Sequence, residues 1–249
     1  SGIKGYNVTV TNGAQSGLAS MAYAMSVLRS GQENAMLATG SDENSDTMTE
    51  LFGKLGVTSE NVVAPFAGKD GFVLSDGSAS VLIEDEKAAR ERGARIYCHA
   101  AGYGMAHSNV KFGTLTGSEA GLTNAVNNAL ADAGMTIDDI DAVFGFANGM
   151  KAVDDVEIKG LTAVFGDKLA EKPVVELKEV LGESRAAAAT TAAAHAALMF
   201  AGKIPSQEAY SIAADGSVSK TNVEASKLNN VLVAAYGAGG SYSAIVLSK

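Results

Sequence analysis

Short apolar runs alternate with helical stripes from the start of the chain. Residues 6–10 are rich in β-branched side chains and predict a strand. Apolar residues at spacings of three and four then predict a helix over residues 18–28. A glycine-flanked turn at residues 12–17 lies between them. The pattern therefore predicts a strand that breaks sharply into a helix, with Gln15 held at the helix N-terminus, where backbone amides and the helix dipole favour an anion.

The same alternation continues to the end of the chain. Strands are predicted at residues 35–38, 95–102, 142–146, 174–177, 231–234 and 244–247, with a hairpin formed by residues 72–74 and 79–83. Helices are predicted at residues 46–55 and 119–133, with caps at Ser45 and Ser118, and at 85–92, 153–165 and 185–201. Strands that alternate with helices indicate an α/β layered fold.

Composition and charge narrow the functional classes. With 249 residues, 47% of them hydrophobic, the chain can bury a large core as one domain or two smaller ones. The net charge is -9 and no cluster of Lys and Arg occurs, which argues against nucleic acid and anionic membranes as partners. No apolar stretch approaches the length of a membrane span. The single cysteine, Cys98, excludes an internal disulfide, agrees with a cytoplasmic location and is predicted to be a buried structural thiol.

Few residues offer catalytic or metal-binding chemistry. The three histidines, His99, His107 and His195, are spaced irregularly, and the pattern favours packing or hydrogen-bonding roles for His99 and His195. No spacing typical of a metal site occurs, so no metal is predicted.

Acidic residues gather near the start of the helix predicted at residues 153–165. Asp154, Asp155 and Glu157 are expected to complement the dipole of that helix. Lys178 is expected to pair with one of these carboxylates across the fold. The run at residues 237–240 precedes a strand rather than a helix, which predicts a tight turn with close backbone approach and not a phosphate cradle.

Several blocks of the sequence, in the same order, resemble the β-ketoacyl synthases of fatty-acid and polyketide assembly, which have the thiolase fold. The blocks are Ala14-Gln15-Ser16-Gly17; Pro65-Phe66 with Lys69-Asp70-Gly71-Phe72-Val73, Gly77 and Leu82-Ile83-Glu84; Phe146-Ala147-Asn148-Gly149 with Asp154 and Glu157; Lys178 with Gly182-Glu183; and Tyr236-Gly237-Ala238-Gly239-Gly240. The resemblance runs from the first predicted strand to Lys249. It implies a layered α-β-α-β-α arrangement and no cofactor.

The departures from the family pattern concern the catalytic positions. An active member uses a cysteine nucleophile and two histidines, and the resemblance aligns these positions with Gln15, Phe146 and Glu183. An amide cannot replace the thiolate that the helix N-terminus assists, and a carboxylate repels an enolate. The gate phenylalanine before the last glycine pair is replaced by Ala238. No catalytic triad is therefore intact, while Asp154, Glu157, Lys178, Gly149 and Gly182 keep structural family positions.

The resemblance is strongest to the chain-length factors of type II polyketide systems, which carry glutamine at the cysteine position. It implies a non-catalytic subunit that forms a heterodimer with an active ketosynthase and helps to shape the tunnel for the growing polyketide, or for an aryl-polyene or fatty-acid-like product. The partner would accept substrate from an acyl carrier protein. Two alternatives stay open: a glutamine-type malonyl decarboxylase, and a hydrolase that uses Ser1 as an N-terminal nucleophile.

The family comparison also divides the chain. Residues 1–93 would be the remainder of the N-terminal thiolase-like half, with the helix after Gln15 and the hairpin, and residues 94–249 the C-terminal half. The N-terminal strands and helices of the first half are expected to be missing. We expect an N-terminal fragment of the same subunit to associate with this chain, because the chain alone would expose sheet edges and apolar faces.

Overall fold

In the computed structural model, which describes residues 4–61, 64–69, 71–111 and 114–249, helices and strands alternate along the chain. The helices are α1 (Ser16–Arg29), α2 (Asp46–Lys54), α3 (Glu86–Glu91), α4 (Glu119–Ala133), α5 (Lys151–Phe165), α6 (Lys178–Leu181) and α7 (Ala188–Phe200). The strands are β1 (Ala35–Asp42), β2 (Gly77–Glu84), β3 (His99–His107), β4 (Ala142–Phe144), β5 (Val174–Val175), β6 (Ser206–Ile212), β7 (Val218–Glu224), β8 (Asn230–Gly237) and β9 (Ser241–Ser248).

The described strands form two sheets. The larger one has the order β3-β9-β8-β4-β5-β6-β7, and the smaller one contains β1 and β2. Strand β4 runs parallel to both of its neighbours, β8 and β5. The other pairs of the sheet are antiparallel: β3–β9, β8–β9, β5–β6 and β6–β7. The carboxyl ends of β4 and β5 therefore meet at one edge of the large sheet.

The central strands of the large sheet, β4, β8 and β9, are buried on both faces. Alternate residues of β8 belong to two hydrophobic cores: Val231 and Val233 pack with α1 and α7, and Leu232 and Ala234 pack with α4 and α5. This follows from the two-residue period of a strand, and it explains why the sequence of β8 is an almost continuous apolar run. The layered α/β fold that the resemblance implied is confirmed.

The start of α1 packs very closely against β1 and the start of α7. A Cβ atom added to Gly17 of α1 would lie under 3.0 Å from the Thr190 hydroxyl and the Ala186 carbonyl oxygen. A Cβ atom added to Gly40 of β1 would meet the same two groups. The three elements can approach this closely only because both positions lack a side chain, and this contact fixes the start of α1.

Most predicted helices are confirmed, with small changes at their ends. Ser45 caps α2 by accepting a hydrogen bond from the Met48 amide at 3.3 Å, and α4 ends at Gly134 in the left-handed conformation. Ser118 precedes α4, but its side chain makes no capping bond; its amide donates to the hydroxyl of Tyr242 instead. No helix within the described ranges is long and apolar enough to span a bilayer.

The strand predicted at residues 6–10 is not observed. This segment pairs with no strand in the described part of the chain, and Tyr6 and Val8 are 53% and 47% exposed. Tyr6 instead stacks on Tyr23 of α1, with ring centroids 6.0 Å apart. Strand propensity is not sufficient here, because a strand also needs a neighbour for its backbone hydrogen bonds.

The predicted hairpin is also wrong. Residues 79–83 do lie in a strand, β2, but it pairs with β1, with Leu37 opposite Leu82. Phe72 and Leu74 form only isolated bridges, to Thr58 and Glu183. The strand predicted at residues 95–102 begins later, at His99, and β6 and β7 were not predicted, because their exposed faces are polar and break the apolar pattern.

Replacing Gly17 with alanine should destabilise the protein by about 1–3 kcal/mol, the usual cost of overpacking a close contact. The matched control is Gly53→Ala in α2, where an added Cβ atom meets nothing within 4 Å. That change should stabilise by about 0.5–1 kcal/mol, because alanine is the better helix former. Urea unfolding of the two variants measures both effects, and equal stabilities would contradict the close packing of α1.

Candidate functional site

The turn before α1 places Gln15 at the helix N-terminus. The Ser16 amide donates to the carbonyl of Gly13 at 3.0 Å, and the Ser16 hydroxyl accepts from the Asn12 amide at 2.7 Å. Gly13 adopts a φ of 64°, which a residue with a side chain rarely does. The predicted turn into the helix is therefore present, although the segment before it is not a strand.

The side chain of Gln15 is completely buried, and only one of its two polar atoms is hydrogen-bonded within the described residues. Its Oε1 atom accepts a hydrogen bond from the hydroxyl of Ser243, a fully buried residue of β9. Its Nε2 atom has no hydrogen-bond partner among the residues that the structure describes. A Cβ atom on Gly237 would lie 2.9 Å from the Asn12 carbonyl oxygen and 3.2 Å from Cγ of Gln15. The end of β8 thus closes over the turn.

Phe146 lies two residues beyond the end of β4 and is 3% exposed. Its amide donates to Oε2 of Glu157 at 2.6 Å, and its carbonyl accepts from Nζ of Lys178 at 3.0 Å. The ring lies 5.8 Å from the ring of Tyr236, centroid to centroid. The hydroxyl of Tyr236 donates to the Leu115 carbonyl at 3.0 Å, and burial raises the pKa of this phenol. Phe146 is therefore a packed, apolar residue with both backbone groups bonded.

Glu183 is the acceptor for three groups. Its Oε2 atom lies 2.7 Å from Nζ of Lys178 and 2.8 Å from Nδ2 of Asn148, and its Oε1 atom accepts from the Arg185 amide at 2.8 Å. The Lys178 and Glu183 side chains are only 12% and 6% exposed. Lys178 was expected to pair with a carboxylate of α5, and this is wrong: its ion pair is with Glu183. Each oxygen of this carboxylate is thus engaged by the protein.

Asp154 lies in the first turn of α5, as expected for a residue that complements the helix dipole, and it also organises the turn after Phe146. It accepts from the amides of Asn148 and Gly149 at 3.0 and 3.2 Å, and from the amide of Phe66 at 2.7 Å. Burial raises the pKa of this carboxyl group despite these bonds. Asp155, in contrast, forms an exposed ion pair with Lys151.

Two residues in the site adopt uncommon backbone conformations. Phe66 and Arg185 have φ angles of 62° and 47°, in a region that side chains other than glycine seldom adopt. Their amides donate to Asp154 and to Glu183, respectively. The two buried carboxylates therefore hold the strained residues in place.

Glu157 and Glu176 form a buried carboxyl pair behind Phe146. Their exposed fractions are 0% and 4%, and an Oε1 atom of each would lie under 3.0 Å from a Cβ atom added to Gly145. Burial raises the pKa of both groups, and the negative charge of Glu157 raises that of Glu176 further. Two carboxylates this close repel each other in a site shielded from water, and this arrangement favours the protonated form of Glu176.

The glycines of the last two blocks allow close backbone contacts. Gly182 has a φ of 76°, and a Cβ atom there would lie 2.9 Å from Cβ of Ser75. Gly239 and Gly240 adopt φ angles of 102° and 92° in the turn between β8 and β9. The predicted tight turn is thus observed, and Ala238 is exposed at its tip.

A cavity of only about 20 Å³ remains where these elements meet. Its walls include Ala14, Phe146, Lys178 and Tyr236. This volume holds about one water molecule. The structure therefore brings together the turn at Gln15, the residues after β4 and the residues after β5, and the cavity between them is about the size of one water molecule.

The remaining reactive side chains lie outside this cavity. Cys98 is half-buried, and burial raises the pKa of its thiol to about 11, so little of the reactive thiolate forms at neutral pH. His195 packs its ring 6.0 Å from that of Phe144, and burial lowers the pKa of its imidazole. No group of three or more acidic, histidine or cysteine residues in the described ranges could hold a metal ion.

Sequence reasoning missed three residues of the site: Ser243, Asn148 as a side-chain donor, and Glu176. A serine inside the apolar run of β9 and a glutamate directly after the apolar β5 were the available signals, because polar residues in such runs are buried.

Replacing Glu176 with glutamine tests the protonated form of Glu176. The raised pKa of Glu176 means that the folded state keeps a proton that the unfolded state releases above pH 4.5, the ordinary value. Glu176 therefore contributes to the stability of the folded state at low pH, and this contribution is lost as the pH rises. The glutamine keeps a donor toward Glu157 and removes the titration. The variant should be more stable than the natural protein at pH 8, by about 1–3 kcal/mol, and the two should converge near pH 4. Urea unfolding across this range measures the difference.

The exposed Glu224→Gln variant in β7 serves as the control, and its difference from the natural protein should stay small at every pH. A difference for Glu176→Gln that does not change with pH would contradict the protonated form of Glu176.

Comparisons with known proteins agree with the family resemblance of the sequence blocks. A family model described as "Beta-ketoacyl synthase, N-terminal domain" matches residues 1–89, and one described as "Beta-ketoacyl synthase, C-terminal domain" matches residues 97–211. The 3-oxoacyl-(acyl-carrier-protein) synthase 2 of Coxiella burnetii is 27% identical over 195 residues, covering 75% of this chain and 47% of the relative. The putative polyketide beta-ketoacyl synthase 1 of Streptomyces cyaneus is 27% identical over 259 residues, covering 99% of this chain and 61% of the relative.

A solved structure, the ishigamide ketosynthase/chain length factor, superposes with a TM-score of 0.84 at 26% identity. The match covers 97% of this chain and 60% of that one, so the chain spans about three fifths of its length. Both domain models, the relatives and the shared fold agree, and the chain belongs to the β-ketoacyl synthase family.

Proposed function

We propose that this chain is a non-catalytic, ketosynthase-like subunit, a chain-length factor of a type II polyketide system or of a related aryl-polyene or fatty-acid-like pathway. It pairs with a cysteine-bearing ketosynthase in the cytoplasm and helps to shape the tunnel for the growing chain. The observation that carries this proposal is the chemistry of the site: the three positions hold a buried amide, a buried phenyl ring and a buried carboxylate.

The amide of Gln15 cannot take up an acyl chain. Acyl transfer needs a nucleophile, and a helix N-terminus assists one by stabilising a thiolate. The oxygen of the Gln15 side chain is already bonded to Ser243, and its nitrogen carries no lone pair free to attack a thioester. The one cysteine of the chain, Cys98, lies in a different cavity.

Phe146 and Glu183 cannot replace the two histidines of an active family member. A phenyl ring has no hydrogen-bond donor for a thioester carbonyl. The carboxylate of Glu183 is engaged by Lys178, Asn148 and the Arg185 amide, and its charge would oppose a developing enolate. Neither residue supplies the electrostatic stabilisation that a condensation requires.

The relatives support the assignment to polyketide assembly. The ishigamide protein combines a ketosynthase with a chain length factor, and the Streptomyces cyaneus relative carries polyketide beta-ketoacyl synthase in its name. The Coxiella burnetii relative is a synthase for acyl-carrier-protein substrates. We propose that an acyl carrier protein delivers substrate to the complex through the ketosynthase partner, and that the two thiolase-like halves of this chain are residues 1–93 and 94–249.

The two alternatives have less support. A malonyl decarboxylase would use the Nε2 atom of Gln15, unpartnered within the described residues, as a donor, but the Gln15 side chain is completely buried and offers no surface to a malonyl thioester. The N-terminal nucleophile hydrolase depends on Ser1, which lies outside the described residues, as does Asp70 of the second family block. The hydrolase leaves the ketosynthase blocks unexplained.

Reconstitution tests the proposed subunit. A cysteine-bearing ketosynthase from the same organism is supplied with malonyl carrier protein, with and without this chain, and the products are identified by mass spectrometry. We expect the chain to change the yield and the number of malonyl units added. Equal yield and equal product length in both reactions would refute the proposal. A Gln15→Ala variant should support the partner as the natural chain does, and loss of priming with that variant would favour the decarboxylase.

A Gln15→Cys variant tests whether the nucleophile alone is missing. We expect it to form no condensation product by itself, because Phe146 offers no donor and the Glu183 carboxylate is already engaged. The measurement is condensation of an acyl group with malonyl carrier protein by the purified variant. Turnover at a rate near that of an active ketosynthase would show that the site needs only a thiol.

A further inference from the structure

A second cavity, of about 710 Å³, lies at the other end of α1 from Gln15. Its walls include Met21 and Met25 of α1, and Met25 is about 15 Å from Gln15 along the helix axis. The volume is in the range of sites that bind small organic molecules. The cavity is therefore separate from the site described above, and its use does not depend on the proposed function.

The floor of this cavity is apolar. It is formed by side chains from four elements that meet behind the segment leading into β3: Met21, Met25, Val81, Ile83, Ala197 and Leu247. These are flexible, branched or small side chains, which can pack along an alkyl chain. Cys98 lies in the same wall.

Charged groups line the mouth, and nearly all have partners. Arg92 forms two hydrogen bonds with the carboxylate of Glu84, at 2.9 and 2.5 Å. Arg29 pairs with Asp132 at 2.7 Å. Asp85 accepts from the Ala88 amide at the start of α3. Glu86 pairs with Arg90 at 2.6 Å, and His99 lies 3.7 Å from Glu86.

Arg95 is the exception. Its guanidinium lies over the ring of Tyr97, 4.8 Å from the centroid, and it has no carboxylate partner in the described part of the chain. Both residues line the cavity. Stacking on the ring restricts the side chain but leaves its N–H donors available. The mouth thus presents one uncompensated cation beside an apolar interior.

We propose that this cavity binds a long-chain fatty acid, with the alkyl chain on the apolar floor and the carboxylate on Arg95. A guanidinium suits a carboxylate, because the two can form a pair of parallel hydrogen bonds. Glu84 and Glu86 are neutralised by arginines, whereas Asp85 at the mouth has no cationic partner among the described residues and disfavours a ligand of higher negative charge, such as a nucleotide. In the part of the chain that the structure describes, one free guanidinium beside one free carboxylate therefore suits a single negative charge on an apolar body.

The binding test uses the full chain and radiolabelled hexadecanoate below its aggregation concentration, in equilibrium dialysis. We expect saturable binding at one site, and binding of hexadecanol at least tenfold weaker, because the alcohol lacks the charge. Cys98 supplies a second readout, since it is the one cysteine of the chain and lines the cavity. Its reaction with a thiol reagent at pH 9 should slow as hexadecanoate is added.

Two variants change the cavity in different ways, and a third variant on another helix serves as the control. Arg95→Glu should weaken hexadecanoate binding by about tenfold or more. Ala197→Phe fills the cavity from α7 and should abolish binding and the protection of Cys98. Lys159→Glu makes the same charge change as Arg95→Glu on the exposed face of α5, and should bind within twofold of the natural chain. Circular dichroism and urea unfolding establish that each variant is folded.

Absence of saturable binding to the natural chain would overturn the proposal. So would equal affinities for hexadecanoate and hexadecanol, or unchanged binding in both folded variants. None of these results affects the proposed role beside a ketosynthase, which the reconstitution experiment measures separately.

Discussion

The ammonium group of Lys178 is mostly buried and joins two separate loops of the site. It donates to the carbonyl of Phe146 in the loop after β4, and it forms an ion pair with Glu183 in the loop after α6. Glu183 in turn accepts from Asn148 and from the strained Arg185. A buried ion pair contributes little net stability, but removing one partner leaves an uncompensated charge that costs about 3–5 kcal/mol. The pair therefore fixes the position of the loops more than it stabilises the fold.

This arrangement depends on the topology of the large sheet. The parallel strands β4 and β5 end at the same edge, so the residues that follow them, Phe146 and Lys178, lie side by side. In open α/β sheets the carboxyl ends of the strands are where ligands bind. Here the ring of Phe146 and the side chain of Tyr236 occupy that space. Both side chains line the small cavity at this edge of the sheet.

The sequence was sufficient where local pattern and burial agree. The apolar runs of β8 and β9 and the stripe of α1 predict their elements well, because both faces of the sheet and one face of the helix are buried. The turn at Gln15 was predicted from its glycines alone. The segment at residues 6–10 has strong strand propensity but no pairing neighbour, and propensity cannot report that.

The polar contacts of the site could not be predicted in the same way. That Lys178 pairs with Glu183 rather than with Asp154 or Glu157 depends on how two loops fold back on each other, and sequence spacing does not contain this information. The bond from Ser243 to Gln15 joins residues 228 positions apart. The preference for the protonated form of Glu176 follows from its burial beside Glu157, which becomes visible only when β5 is placed beside β4.

The small sheet differs from the large one in the pairing of its backbone amide and carbonyl groups. Within the described residues β1 pairs only with β2, so its other edge has no strand partner there, and Leu37 and Leu82 are more than half exposed. Two strands alone are only marginally stable, and here packing of one face on α1 and α7 supports them. Amide hydrogens of β1 and β2 should therefore exchange with solvent long before those of β8, and the molecule opens locally at this end while its larger core stays intact.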